Sequence, residues 1–411
     1  MSITKYLDRH ASVTADQCAG LEAFGPWDHA VVIPARREGA QCLAAAQAPA
    51  QRHAVVCVLV VNAGHAADAP DDLQDQLEGT QLLEAVEAHP ELWRREGVSL
   101  HRVGSLDVVL VDCVRGDRRF DSSDGVGLAR KIGADLVLRL HQLGRLRSPW
   151  IHCTDADARL PAEHFERVAS SGANVIATVA PFWHEPGDDP EADLATARYE
   201  LSLRYYVAGL RFAGSPFAFH TIGSLISVAC SAYASVRGFP RRQAGEDFYL
   251  LNKLAKLGIV RELGGAPVEI RSRRSARVPF GTGPAVAALI SGQALQVYDP
   301  RVFQALARVL RSLDQIVSGA GLGALAELTR ELDAPQLHGM FEAAQTLVER
   351  YPPAQLAQRL HERFDGFRTL KLIHELTASR WPKLAWPDAV ARAPFIEFSP
   401  DLPIDAQRRA L

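Results

Sequence analysis

Five apolar runs of strand length punctuate the first 180 residues, and their alternation with helical patterns limits the fold more than any single motif. They are His29-Ala-Val-Val-Ile-Pro-Ala, Ala54 to Val61, Asp107-Val-Val-Leu-Val-Asp112, Trp150-Ile-His-Cys153 and Asn174-Val-Ile-Ala-Thr-Val-Ala. Runs that are apolar on both faces suit strands covered on both sides, and helices between them suit a mostly parallel sheet. The expected class is therefore α/β, with a central sheet flanked by helices. Residues 64 to 106 interrupt the pattern: they are polar and acidic around Leu82, Leu83 and Val86, and read as an insertion. From about residue 300 the strand signal stops. Val302, Phe303, Leu306, Val309, Leu310, Leu313 and Ile316 repeat at helical spacing, as do Met340, Phe341, Ala344, Leu347 and Val348, then Phe367, Leu370, Ile373 and Leu376. These stripes read as packing faces of a helical C-terminal domain.

Composition excludes several classes of function. The chain has 411 residues, more than one core usually serves, and a net charge of −3. That charge gives no general attraction to nucleic acid or to membranes. Cys18, Cys42, Cys57, Cys113, Cys153 and Cys230 lack metal-ligand spacing, and several sit in apolar runs, as buried free thiols do. The first residues carry no secretory pattern, and Ala285 to Leu295 is too short to span a bilayer. A cytoplasmic location is expected, with no integral membrane segment.

Chemistry concentrates at Thr154-Asp-Ala-Asp157, directly after the Trp150 run. An Asp-x-Asp at a strand end points into the crevice where open α/β sheets bind ligands. Two close carboxylates repel unless a cation or hydrogen bonds offset them. Mg²⁺ or Mn²⁺ suits such oxygens and commonly joins carboxylates to a substrate's phosphates. An isolated Asp-x-Asp is also an ordinary turn, so its neighbours decide.

Those neighbours fit a nucleotide site. Pro34, Arg36 and Glu38 follow the first run, and Glu38 could accept two hydrogen bonds from a ribose diol. Asn62 closes the second run with an amide able to read a base edge. Gly125, Gly127, Arg130 and Lys131 open a helix whose N-terminus and cations would favour phosphate. Gly223-Ser224 precedes an apolar run, Gly245-Glu246-Asp247 precedes a helix striped by Phe248, Leu251, Leu254 and Leu257, and Arg271 to Arg277 is the densest basic cluster. Each has a plainer reading as a cap, a turn or a solvated charge run.

Taken in order, these segments resemble the family 2 type of glycosyltransferase with the GT-A fold, over about residues 28 to 280. The resemblance implies a nucleotide-diphosphate-sugar donor, an acceptor hydroxyl of unspecified identity, and a divalent Mg²⁺ or Mn²⁺. It implies that Asp157 binds the metal directly, with Asp155 nearer the ribose or behind the ligands. It makes Asp247 the general base of an inverting transfer, with Glu246 as the alternative. Donor contacts would fall to Pro34, Arg36, Glu38, Asn62, Gly127, Arg130, Lys131, Asp155, Ser224, Arg271 and Arg277. Lys131 stands where the family usually has Asn, and no histidine ligand follows Asp247 before Gly283. A retaining transferase, a sugar nucleotidyltransferase (from Ile33-Pro-Ala-Arg36) and a non-catalytic nucleotide-binding protein are the alternatives. The expected division is an N-terminal extension (1–27), a transferase domain (28–284) and the helical domain (285–411), possible as a homo-oligomer.

Overall fold

The computed structural model describes residues 1–64, 70–121, 124–275 and 281–411. Two compact units are present: residues 1–186 with 221–272, and residues 187–220 with 282–411. The strands of the first unit are β1 (His29–Ala35), β2 (Val55–Asn62), β3 (Glu91–Arg95), β4 (Val98–Val103), β5 (Leu106–Cys113), β6 (Trp150–Cys153), β7 (Ala158–Arg159), β8 (Val175–Val179), β9 (Phe182–Glu185), β10 (Ile226–Ala229), β11 (Ile259–Glu262) and β12 (Val268–Arg271). In chain order the helices begin with α1 (Ile3–Arg9), α2 (Gln47–Ala50), α3 (Pro70–Glu87), α4 (Val126–Gln142), α5 (His164–Ala169), α6 (Pro190–Phe212), α7 (Cys230–Ser235) and α8 (Glu246–Leu254).

A nine-stranded sheet has the order β11-β8-β10-β6-β1-β2-β5-β4-β3. Its centre, β6-β1-β2-β5, is parallel throughout. Only β10 and β4 run against the other strands. The fold is thus of the expected α/β class, a mostly parallel central sheet flanked by helices. Every residue of β2 is buried, as its unbroken apolar run requires. Pro34 sits in the central β1, where a missing N–H normally breaks a ladder. It is tolerated because β6 last pairs opposite Val32, two residues earlier on the same side of the strand. β7, β12 and β9 form a separate three-stranded sheet.

Two expectations need correction. The stretch read as an insertion contributes β3 and β4, which extend the main sheet beside β5. Their alternating polar residues hid them, since β3 is an edge strand with mostly exposed side chains. The helix α6, read as part of the transferase domain, packs within the second unit. There Leu201, Tyr205 and Leu210 join the core of Val302, Phe303, Leu306, Val309, Leu313 and Ile316. Of the expected stripes, Met340, Ala344, Ile373 and Leu376 are buried, but Val348 is exposed and Leu372 takes a core place instead of Leu370.

Candidate active site

The carboxyl ends of β1, β2 and β6 lie along one edge of the sheet, and Asp155 and Asp157 follow β6 there. Thr154 N donates to Val32 O at 3.0 Å, carrying the chain one residue past the paired strand. The turn is then closed by Ala158 N to Asp155 O (3.1 Å) and held from β12 by Arg271 N to Asp157 O (2.9 Å). Both Asp side chains are partly exposed, so the turn fixes their backbone while leaving the carboxylates at the surface of the cleft.

Gly125 and Gly127 do not cradle a ligand. Instead they let the start of α4 press against the segment before α8. A Cβ on Gly127 would lie 2.5 Å from Pro240 O and 2.8 Å from Arg242 O, and Gly127 N donates to that Arg242 carbonyl at 3.1 Å. The expected phosphate contact at Gly127 is therefore corrected to a backbone-to-backbone contact, since carbonyls already fill the space beside it.

One turn further, Arg130 is buried, with 3% of its surface exposed. Its Nε donates to Glu246 Oε1 at 2.7 Å, its Nη2 to Asp155 Oδ1 at 2.5 Å, and its Nη1 to Thr154 O at 3.4 Å. Burial alone would lower the guanidinium's pKa, but the Asp155 and Glu246 carboxylates outweigh it and raise the value further. The expected free cation for phosphate is thus a neutralised one. Lys131, the next residue, turns about 100° around the helix and meets other partners. Its ammonium is committed to Tyr6 Oη at 2.7 Å and Asp135 Oδ2 at 2.8 Å, and it is buried. The donor contact expected at Lys131 is corrected to an anchor for α1.

Gly245 enters α8 at φ 74°, a left-handed conformation that suits glycine. Glu246 is 3% exposed and bound to Arg130. Asp247 is partly exposed, and its Oδ1 accepts from Phe248 N at 2.7 Å. Its carboxyl is pushed up to about 8, first by burial of much of the group and then by the negative charge of Glu246; the Phe248 N–H and Arg130 oppose this. The two adjacent carboxyls thus differ in environment: Glu246 has the cation and Asp247 does not.

The remaining expected residues spread along the same edge. Arg36 Nε donates to the buried Asp75 at 2.6 Å, and Arg37 bonds the other oxygen of that carboxylate. Glu38 is partly exposed, and Asn62 is buried as the last residue of β2. Ser224 is buried in the turn Gly223–Leu225, and its hydroxyl has no hydrogen-bond partner among the described residues. The preceding Gly223 abuts Arg130: a Cβ there would lie 2.2 Å from Nη2. Arg271 is exposed at the end of β12, and Arg277 lies outside the described residues. Asp75 and Thr154 were not singled out from sequence as contacts. Asp75 shows no local signal, whereas Thr154, whose buried hydroxyl is also unpartnered, stands directly beside the Asp-x-Asp. Among the described residues no three His, Cys, Asp or Glu side chains converge to hold a metal. None of their helices is long and apolar enough to cross a membrane.

No protein-family model matches the chain, and no curated protein matches it. Among solved structures it is similar to residues 1–349 of S. aureus TarS in complex with UDP-GlcNAc, at 10% identity and a TM-score of 0.37, covering 82% of this chain and 89% of that one. It is also similar to glucosyl-3-phosphoglycerate synthase from Mycobacterium tuberculosis with Mn²⁺, UDP and phosphoglyceric acid, at 11% identity and 0.36, covering 73% and 87%. A third is the mannosyltransferase PcManGT from Pyrobaculum calidifontis with GDP-Man and Mn²⁺, at 14% identity and 0.34, covering 92% and 93%.

Proposed function

We propose that the chain transfers a glycosyl group from a nucleotide-diphosphate sugar to an acceptor hydroxyl, with inversion and with the help of a divalent cation. The observation that carries this reading is the meeting of three distant segments on Arg130: the α4 start, the Asp-x-Asp turn and the Glu246-Asp247 pair. That meeting supports the reading because it brings Asp247, whose carboxyl is pushed up to about 8, to the same edge as the Asp-x-Asp turn.

In this reading Asp247 accepts the proton of the acceptor hydroxyl. The acceptor oxygen bonds to the anomeric carbon as the bond from that carbon to the diphosphate oxygen breaks, and the electron pair leaves with the diphosphate. A raised pKa suits the base role, because proton transfer is most effective when the pKa lies near working pH. Glu246, paired and buried, is left to structure. Asp157, with Asp155 beside it, would hold Mg²⁺ or Mn²⁺. The donor set fits a cation that takes one or two carboxylates and completes its shell with phosphate and water, rather than an all-protein cage. When bound, that cation supplies positive charge against the charge growing on the leaving diphosphate. Ser224, with its buried, unpartnered hydroxyl, is the candidate sugar contact, and Arg271, tethered to Asp157 through its backbone, the candidate diphosphate contact.

The test is a panel of nucleotide sugars and acceptors assayed for nucleoside diphosphate release, with calorimetric titration of UDP, GDP and CDP with and without Mn²⁺. Asp157→Ala should remove the metal-dependent part of nucleotide binding. Failure of all three nucleotides to bind overturns the reading, and release of pyrophosphate instead would mark a nucleotidyltransferase.

A further inference from the structure

We propose that Arg130 is the positioning residue of this cleft: by bonding Glu246 and Asp155 at once it locks the first turn of α8 to the end of β6, and so sets the backbones of the neighbouring Asp247 and Asp157. The inference deepens the transferase reading and rests on it for the roles of Asp247 and Asp157, but the lock itself stands on geometry alone.

The geometry has three parts. The guanidinium reaches three acceptors, two of them carboxylates 25 and 116 residues away in sequence, at 2.5 and 2.7 Å. Its side chain is only 4% exposed, and Glu246 only 3%, so water cannot replace Glu246 without a cavity opening, while Asp155 is met at the cleft surface. The space around it is specified on both sides: Gly223 leaves no room for a Cβ beside Nη2, and Gly127 fixes the start of the same helix to Arg242. A planar fork that holds two carboxylates in fixed directions is a task for arginine, which an ammonium cannot duplicate.

The consequence is a division among four acids. Asp155 and Glu246 share one cation, so each is oriented and its charge partly offset. Asp247 and Asp157 are the adjacent or next-but-one residues, and their backbones are therefore placed by the lock while their carboxylates take no bond from Arg130. Arg130 touches no reacting atom in this scheme; it acts through its two partners.

Arg130→Lys and Arg130→Ala test it. Arg130→Lys keeps the charge but not the fork. It should lower kcat by on the order of 10²-fold, the scale of a misplacement of about 1 Å, while the donor KM moves by less than about threefold. Arg130→Ala should lose more, and guanidinium ion added to it should restore part of kcat by filling the vacated site. A readout without turnover separates this from the transferase reading: hydrogen exchange at the amides of Tyr249 and Ala158, bonded to Gly245 O and Asp155 O, should quicken at least tenfold in Arg130→Lys. Unchanged exchange at both amides overturns the lock whatever the activity. Quickened exchange in a protein that binds no nucleotide sustains the lock and sinks the transferase reading. Wild-type kcat in Arg130→Lys, in a chain that does transfer sugar, also overturns the positioning role.

Discussion

Asp247 ties activity to stability through one proton. Its carboxyl titrates near 8 in the folded chain against an ordinary value of 3.8. As pH rises from about 4 toward 8, the unfolded chain releases a proton that the folded chain keeps, so this residue's contribution favours folding less and less. Asp247→Asn has no proton to lose. Its melting temperature should exceed the wild type's at pH 8, and the gap should close near pH 4; equal melting temperatures at both pH values would refute the shift. The same substitution should cut transfer by about 10²–10⁴-fold, the range for a lost general base, with nucleotide binding retained. A residue that destabilises its own fold at working pH is what a chemical role, rather than a helix cap, would maintain. Sequence made the Glu246-Asp247 pair visible but could not divide the two, because the partner of Glu246 lies 116 residues away. Arg130 and Lys131 show the same limit. They are adjacent and alike in charge, yet a single helical step sends one toward the Asp-x-Asp and the other toward Tyr6 and Asp135.

Elements carry the next set of consequences. The start of α4 and the segment before α8 meet through backbone atoms that have no rotamers to adjust. Gly127→Ala should therefore displace residues 240–243, cost about 1–3 kcal/mol of stability as an overpacked contact, and reduce any activity that depends on the turn before α8. Urea unfolding measures the first and turnover the second. At the opposite edge of the sheet, the beginnings of β1 and β6 and the helix α5 bring His29, His53, His152 and His164 around Phe165. His29 stacks on that ring at 4.0 Å, and His152 Nδ1 lies 2.9 Å from Ser227 Oγ. Burial is the main cause holding His29 and His164 down to about 4 and His152 well below its usual value; neighbouring histidines add to it, while Asp28 and Glu166 oppose it at His29. A depressed histidine stabilises above its unfolded pKa, so the protein should lose stability steadily as pH falls from about 6.5 to about 4. A urea midpoint that stays level across that interval would contradict this. The alternating elements were legible because strands apolar on both faces leave long unbroken runs. β3 was not, because an edge strand with exposed polar side chains looks like a loop, and β4 was not, because Ser99 and His101 interrupt its apolar run although both are buried.

At the scale of the whole molecule, the second unit closes on its own last helix (Ile404–Ala410). Arg408, 4% exposed at its side chain, donates to Glu200 Oε2 at 2.6 Å, and Arg204 holds the other oxygen at 2.7 Å. Gln407 Oε1 receives the Trp386 indole N–H at 2.7 Å. Arg408→Met removes the donor from one oxygen of the buried Glu200 while Arg204 keeps the other, so it should lower the unfolding free energy by about 1–3 kcal/mol, read by urea denaturation. This closure was illegible in sequence, since a basic chain end reads as a solvated tail until Glu200 is brought beneath it. The cysteines, by contrast, behave as their apolar settings suggested: all six are buried free thiols, and burial pushes Cys18 up to about 11 and Cys42, Cys57, Cys113, Cys153 and Cys230 up to about 12. A thiol reagent should label none of them in the folded chain at pH 8 and all of them in urea; rapid labelling of any one would contradict its burial.

The bonding of Arg130 to Asp155 and Glu246 also bears on how such chains diverge. Losing the arginine strands the buried Glu246 without its cation, and losing either acid leaves a buried guanidinium N–H without its acceptor, so no single replacement is neutral. The three positions form one heritable character. In chains that share this sheet, arginine, aspartate and glutamate at these places should be kept together or exchanged together, whatever happens to the sequence between them. A set of relatives in which the three vary independently would show that the bond is incidental.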